Sequence, residues 1–195
     1  MKFEEGHLYH IFNRGVAKRE IFFHDENYLY FLRKIRTHIA PHGRILAYCL
    51  MPNHFHIMMQ VDKFQVDYKT KNEVLVNRTL NASIGIMLRS YTIAIQKQES
   101  FIGSLFEQHT SANCLTTNTK LTPAFLNAFF GTMIQTAIPE KQYPALCFDY
   151  IHDNPLKAGL VRRPEQWIYS SLIDYLGLRN GTLINKILAK ELGLI

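Results

Sequence analysis

The run Met51-Pro52-Asn53-His54-Phe55-His56-Ile57-Met58 decides how this chain is read. Its Pro-Asn pair marks a turn, and the residues that follow alternate in character. Successive side chains of a β-strand point to opposite faces, so His54 and His56 share one face while Phe55 and Ile57 share the other. The two histidine Cα atoms then stand about 7 Å apart, which lets two imidazoles share one cation. The competing reading is a histidine pair bonded to neighbouring backbone. In either case Phe55, Ile57, Met59 and Val61 face a core.

Working outward, residues 44–50 and 54–61 read as two strands, and the short link 51–53 suits a hairpin. Upstream, residues 8–12 read as a first strand, followed by the basic loop Asn13-Arg14-Gly15-Val16-Ala17-Lys18-Arg19. Asp25 suits a helix N-cap. Tyr28, Leu32, Ile35 and Ile39 then recur at helical spacing until Pro41-His42-Gly43 breaks the pattern. Downstream, residues 62–77 are polar and read as loop. Ile84, Leu88, Tyr91 and Ile95 predict a helix over about 82–98. Residues 105–109 read as a fourth strand and 110–122 as a loop. Pro123 opens an apolar helical segment that ends before Pro139. A further helix runs over 141–154 and is stopped by Pro155, and a last amphipathic helix lies near 184–192.

The order βαββαβ predicts an α+β fold of ferredoxin-like (RRM-like) type, an antiparallel sheet with helices on one face. The other face is expected to be free, to carry His54 and His56, and to hold a strand of nucleic acid. One domain over 1–180 and a helical tail over 181–195 are expected.

Composition narrows the function classes. With 195 residues, 47% hydrophobic and 19% charged, the chain can build a core and is not a disordered sequence. Its apolar runs fall short of a membrane span, and its first residues do not read as a signal peptide. Cys49, Cys114 and Cys147 lack the spacing of a disulfide framework or thiolate zinc site, so a reducing, cytoplasmic setting is expected. The formal net charge of +6 favours an anionic partner, most often nucleic acid, although many basic proteins bind none.

A second constellation lies in Phe148-Asp149-Tyr150-Ile151-His152-Asp153-Asn154-Pro155-Leu156-Lys157-Ala158-Gly159-Leu160-Val161. On a helix, Tyr150 and Asn154 share a face. A tyrosine can act as a covalent nucleophile, but with an ordinary pKa of about 10 it needs a base or a cation nearby. The Asn154 side-chain oxygen could join two imidazoles as a third ligand. Against this, a tyrosine on an amphipathic helix usually serves a core, and Asn154 could simply end the helix before Pro155. His7, His10, His24, His38, His42 and His109 are expected at the surface or in loops, and His152 lies off the face of Tyr150.

Taken together, these blocks resemble the HUH single-tyrosine transposases, and most of all the REP-associated tyrosine transposases. The resemblance is carried in order by Tyr9-His10-Ile11-Phe12-Asn13-Arg14-Gly15, Ala47-Tyr48-Cys49-Leu50-Met51-Pro52-Asn53-His54-Phe55-His56, Gly103-Ser104-Leu105-Phe106, the Tyr150–Val161 block, Pro164-Glu165-Gln166-Trp167 and Ser170-Ser171. It implies that His54 and His56 are metal ligands, that Tyr150 is the nucleophile on a C-terminal catalytic helix, and that Asn154 is a third, amide ligand. Arg14, Lys18, Arg19 and Lys157 would contact DNA. The implied activity is metal-dependent nicking and strand transfer on single-stranded or hairpin DNA through a 5′-phosphotyrosine link. Mg²⁺ or Mn²⁺ would be the cofactor, although imidazole ligands also suit Zn²⁺ or Cu²⁺. No membrane partner is implied, and a homodimer is a possible assembly. The chain departs from the pattern after Leu105-Phe106-Glu107-Gln108, where relatives often carry an arginine-bearing segment and this sequence has His109-Thr110-Ser111. Three rivals remain: an inactive or domesticated nucleic-acid-binding relative, a hydrolase that uses metal-bound water, and an RNA-recognition-type sheet with no chemistry.

Overall fold

The computed structural model describes residues 1–69, 73–116 and 142–195. Its main sheet contains β1 (Leu8–Arg14), β2 (Gly43–Met51), β3 (His54–Val61) and β6 (Ser111–Cys114), in the order β2-β3-β1-β6 and antiparallel throughout. That is the strand order of a ferredoxin-like fold, as the element pattern predicts. The hairpin strands β4 (Gln65–Lys69) and β5 (Leu75–Thr79) form a separate two-stranded sheet. The helices are α1 (Asp25–His38), α2 (Leu80–Glu99), α3 (Tyr143–Lys157), and the short α4 (Leu172–Tyr175) and α5 (Lys186–Glu191).

The phase of β3 is the predicted one. Phe55, Ile57, Met59 and Val61 are fully buried against α1 and α2, which contribute Tyr28, Phe31, Ile35, Ile84, Met87, Tyr91 and Ile95. Phe31, absent from the predicted stripe, is the fully buried residue of its turn, while Leu32 is only partly covered. The first helix is capped by His24 rather than Asp25. Asn27 Oδ1 accepts the backbone N–H of Phe23 and His24, which holds the entry of the chain.

The opposite face of the sheet is not free. Cys147, Phe148 and Ile151 of α3 pack on Leu46, Ala47, Cys49, Met51 and Met58 to form a second apolar cluster. Leu188 and Ala189 of α5 join it, so residues 181–195 pack onto the body, with Asn185 N–H bonded to Ile45 O at 2.7 Å. The apolar residues of α3 drive this docking, because each would otherwise remain in water at about 25 cal/mol per Å².

Pro155 does not stop α3. The helix runs to Lys157 and ends in a paired-bond cap: Leu160 N–H reaches Pro155 O at 3.0 Å and Gly159 N–H reaches Leu156 O at 2.9 Å. Gly159 takes the left-handed φ of +70° that this cap requires. A proline near the C-terminus of a helix loses only one internal bond, so Asn154 stays inside regular helix.

Two loop expectations are also corrected. Residues 62–77 hold all of β4 and most of β5, and Val66 and Tyr68 of β4 alternate with polar neighbours. Arg78 stacks on Tyr68 at 3.8 Å. The fourth strand of the main sheet is Ser111–Cys114, not 105–109. Both segments run alongside β1: Val16 N–H bonds Leu105 O and Glu107 N–H bonds Arg14 O. The ladder then breaks, and Asn13 Nδ2 bonds Glu107 O and Thr110 Oγ1 across the gap. The apolar helical segment expected after Pro123 lies outside the described residues.

The outer edge of β2 is closed by the segment after α3. Leu50 N–H bonds Tyr169 O, Ser171 N–H bonds Tyr48 O, and the Trp167 indole N–H donates to Leu50 O. An edge covered in this way cannot pair with another chain.

Candidate active site

The turn and the two neighbouring strands hold the first half of the site. Pro52 O accepts the N–H groups of Ile21 and Phe22, and Asn53 O accepts that of Gly15. Gly15 has no room for a side chain, since a β-carbon there would meet the Arg19 carbonyl oxygen at 2.1 Å. The loop after β1 therefore clamps the β2–β3 turn just before His54. Antiparallel register places Arg14 opposite His54 and Phe12 opposite His56. His10, Phe12, Arg14, His54 and His56 thus share the α3 face.

Helix α3 brings the second half. Its Cys147, Phe148 and Ile151 are buried on β2 and β3, and helical geometry turns Tyr150 and Asn154 toward the histidines. The Tyr150 ring stands 5.4 Å from the His56 ring and 6.0 Å from the His10 ring, edge-on to both. The His54 and His56 rings are 4.9 Å apart and nearly perpendicular. Asn154 Nδ2 donates to Tyr150 O at 2.7 Å, and the Asn154 side chain lies within hydrogen-bonding reach of both the His54 imidazole and the Tyr150 hydroxyl. His54, His56, Tyr150 and Asn154, far apart in sequence, are brought together.

The electrostatics are those of a dry site. Burial pushes His54 down to about 4, opposed by the Asn154 contact, with Arg14 pushing further down. Burial also holds His56 well below the ordinary histidine value, aided by His10 and His54. Both imidazoles are neutral at pH 7, the state in which a ring nitrogen can ligate a metal. Burial raises Tyr150 above its ordinary value, and the Asn154 contact opposes that rise.

The hydrogen-bond partners of the histidines differ. His54 Nδ1 faces Asn53 Oδ1 at 2.6 Å. His56 Nδ1 faces His10 Nε2 at 2.9 Å, and His56 Nε2 is buried with no hydrogen-bond partner among the described residues. Sequence reasoning placed His10 at the surface or in a loop, yet it is 1% exposed. Burial lowers its pKa to about 3, and its ring centre lies 4.8 Å from that of Phe12 and 5.0 Å from that of His56, which are themselves 5.9 Å apart. Its alternation with Leu8 and Phe12 was a usable signal for its face, but not for its neighbour. His38 and His42 are likewise buried. His42 bonds Lys63 O and Ser83 Oγ. His152 is buried against Ser171 Oγ at 2.8 Å, and so serves the packing of α3 on the β2 edge.

The four basic residues fall into two groups. Arg14 and Lys157 flank the site. Arg14 Nε bonds Glu107 Oε1 at 2.6 Å, a carboxylate that sequence reasoning missed. Lys157 Nζ lies 5.6 Å from the Tyr150 ring centre and 3.5 Å from Asp153. Lys18 and Arg19 belong to the clamping loop. Lys18 O accepts from Asn53 Nδ2 at 3.3 Å, and the Arg19 guanidinium stacks on Phe101 at 4.5 Å. Among the described residues no three His, Cys, Asp or Glu side chains gather as a metal centre; the third polar group beside His54 and His56 is the Asn154 amide. Among them too, no helix is long and apolar enough to cross a membrane.

No protein-family model matches the sequence, and no curated protein matches it. A solved structure does: that of a REP-associated tyrosine transposase bound to a REP hairpin, with a TM-score of 0.58 over 96% of this chain and 93% of that one, at 13% sequence identity. At that identity the likeness is one of fold. The likeness extends over nearly the whole length of both chains, so this protein has the fold of a REP-associated tyrosine transposase.

Proposed function

We propose that this protein nicks and rejoins single-stranded DNA, on hairpin substrates, through a covalent tyrosine link. The observation that carries the proposal is the convergence of Tyr150 on His56 at 5.4 Å, with Asn154 in reach of both His54 and Tyr150. The shared fold with a transposase bound to a REP hairpin supports it.

The residues fit a divalent cation, Mg²⁺ or Mn²⁺, held by His54, His56 and Asn154. Asn53 Oδ1 accepts a hydrogen bond from His54 Nδ1–H, which leaves the lone pair on Nε2. The buried His56 Nε2 lacks a hydrogen-bond partner among the described residues, and a nitrogen in that position suits a cation better than it suits an empty core. When bound, the cation supplies Lewis-acid stabilisation of charge on the scissile phosphate.

The other steps belong to side chains of this chain. Tyr150 Oη attacks phosphorus, the bond from phosphorus to the 3′-oxygen breaks, and a 5′-phosphotyrosine forms. The phenol loses one proton and the departing 3′-oxygen takes one up. Attack by another 3′-hydroxyl reverses the exchange and joins strands. Burial keeps Tyr150 protonated at rest, and the Asn154 contact favours the charged form that attacks. Arg14 and Lys157 flank the reacting phosphate, while Lys18 and Arg19 take neighbouring phosphates. A single tyrosine permits one attack per site, so complete strand exchange requires sequential turnover or a second copy of the chain. The reaction belongs to a cytoplasmic protein with no membrane partner.

The test is incubation with a labelled library of single-stranded hairpins and Mn²⁺, followed by a denaturing gel. The expected result is a covalent protein–DNA band with the wild-type protein and none with Tyr150→Phe. A wild-type protein that gives no band on any hairpin overturns the proposal. A Tyr150→Phe protein that still cuts points instead to attack by water.

A further inference from the structure

We infer that His10 is a positioning residue: its Nε2 accepts the Nδ1–H of His56 and so turns the His56 Nε2 lone pair toward Tyr150 and the metal. The inference rests on the metal reading of His54 and His56 given above.

The geometry leaves two arrangements of one proton. His10 Nε2 and His56 Nδ1 are 2.9 Å apart, so one of the two nitrogens donates and the other accepts. If His10 donates, His56 carries its own proton on Nε2. That N–H is then buried without an acceptor among the described residues, and His56 offers no lone pair on the side of Tyr150. If His56 donates, the proton of His10 sits on its own buried Nδ1 and His56 Nε2 is left as a bare lone pair, a ligand position; what favours this arrangement is the ligand role of His56, not the count of buried N–H groups. A metal-bound histidine usually gives its second ring N–H to an acceptor that fixes the tautomer and the ring angle. At His54 that acceptor is Asn53 Oδ1, at 2.6 Å. At His56 it is a third histidine.

Packing makes the acceptor rigid. His10 is 1% exposed, and its ring lies 4.8 Å from that of Phe12 and 5.0 Å from that of His56, close to parallel with both. It belongs to β1, in register with β3 along the whole strand. An apolar residue would fill this volume as well and would be the ordinary choice for the interior of a central strand. An imidazole there needs a reason, and the His56 bond gives one. The Tyr150 ring, 6.0 Å from His10, leans on the same pair, so the angle of His56 also sets the distance between nucleophile and metal.

The test compares wild type, His10→Gln and His10→Phe. Glutamine keeps an acceptor oxygen, whereas phenylalanine keeps the ring and removes the acceptor. The first readout is the ring-nitrogen NMR signature of His56 in metal-free protein. Wild type and His10→Gln should show protonated Nδ1 and bare Nε2, and His10→Phe should lose that preference. The second is Mn²⁺ affinity by calorimetry. His10→Phe should bind about 10–100-fold more weakly, and His10→Gln should recover most of the loss. A purely structural histidine would alter melting temperature in both variants and leave the tautomer of His56 unchanged. A wild-type protein that binds Mn²⁺ and carries the His56 proton on Nε2 when metal-free overturns the role of His10 alone. So does a His10→Phe protein with wild-type Mn²⁺ affinity. If wild type binds no Mn²⁺, the metal reading falls and the positioning role falls with it.

Discussion

The Tyr150 ring meets the His56 imidazole edge-on at 5.4 Å, across the contact between helix α3 and the central strand β3. The contact is set by neither residue alone. Tyr150 is turned there because Cys147 and Ile151 are buried on the sheet, and His56 because Phe55 and Ile57 are buried beneath it. Changes to this pair therefore separate chemistry from folding.

Tyr150→Phe keeps the ring contact and removes the oxygen. Covalent adduct and nicking should fall by roughly 10⁴–10⁶-fold, the scale of losing a nucleophile, while hairpin affinity changes less than about threefold. A quantitative gel and a binding titration on the same protein check both.

The nicking rate should rise with pH. Burial raises Tyr150 above its ordinary value, so the phenolate is scarce at neutral pH. Its share grows about tenfold per pH unit until the phenol titrates. Single-turnover rates between pH 6 and 9 that stay flat would show that proton loss from Tyr150 does not limit the reaction.

Stability should fall in mild acid. His10 is lowered to about 3 and His152 to about 4, both by burial. Between the unfolded histidine value of about 6.5 and these values, the unfolded chain binds protons that the folded chain does not. Each such histidine contributes stability that is complete above about pH 6.5 and is lost by about 1.4 kcal/mol per pH unit as pH falls through the window. Urea unfolding should be pH-independent above pH 7 and weaken steadily between pH 6 and 4.

Ser171→Ala should loosen the β2 edge. Ser171 Oγ accepts Tyr48 N–H at 2.9 Å, donates to Tyr48 O at 3.2 Å and bonds His152 Nε2 at 2.8 Å. Its loss strands buried donors and should cost about 1–3 kcal/mol, measurable by urea unfolding, with hairpin affinity preserved in the folded protein.

Lys157→Ala and Arg14→Ala should weaken DNA binding through phosphates. Each should reduce the slope of log K against log salt by about 0.7 on single strands. Glu107→Gln should act in the opposite direction, because it releases Arg14 from its 2.6 Å ion pair. Fluorescence anisotropy across a salt series distinguishes the three.

What the sequence determined by itself is local in origin. Alternation fixed β3 at His54–Val61 and placed both histidines on one face, because pleat geometry forces that phase. Helical spacing put Tyr150 and Asn154 on one side of α3, and the order of elements specified a ferredoxin-like sheet. Where a local signal was present but weak, the reading missed it: Val66 and Tyr68 alternate in β4, and Gly159 marks the true end of α3. Tertiary structure decided the rest. Strand 111–114 pairs through its backbone with β1, and its side chains carry no pattern that announces the partner. The far face of the sheet is covered because Cys147, Phe148 and Ile151 needed burial and found Met51 and Met58. His10 meets His56 only because β1 lies beside β3 in one register, a long-range choice to which no spacing in the chain corresponds.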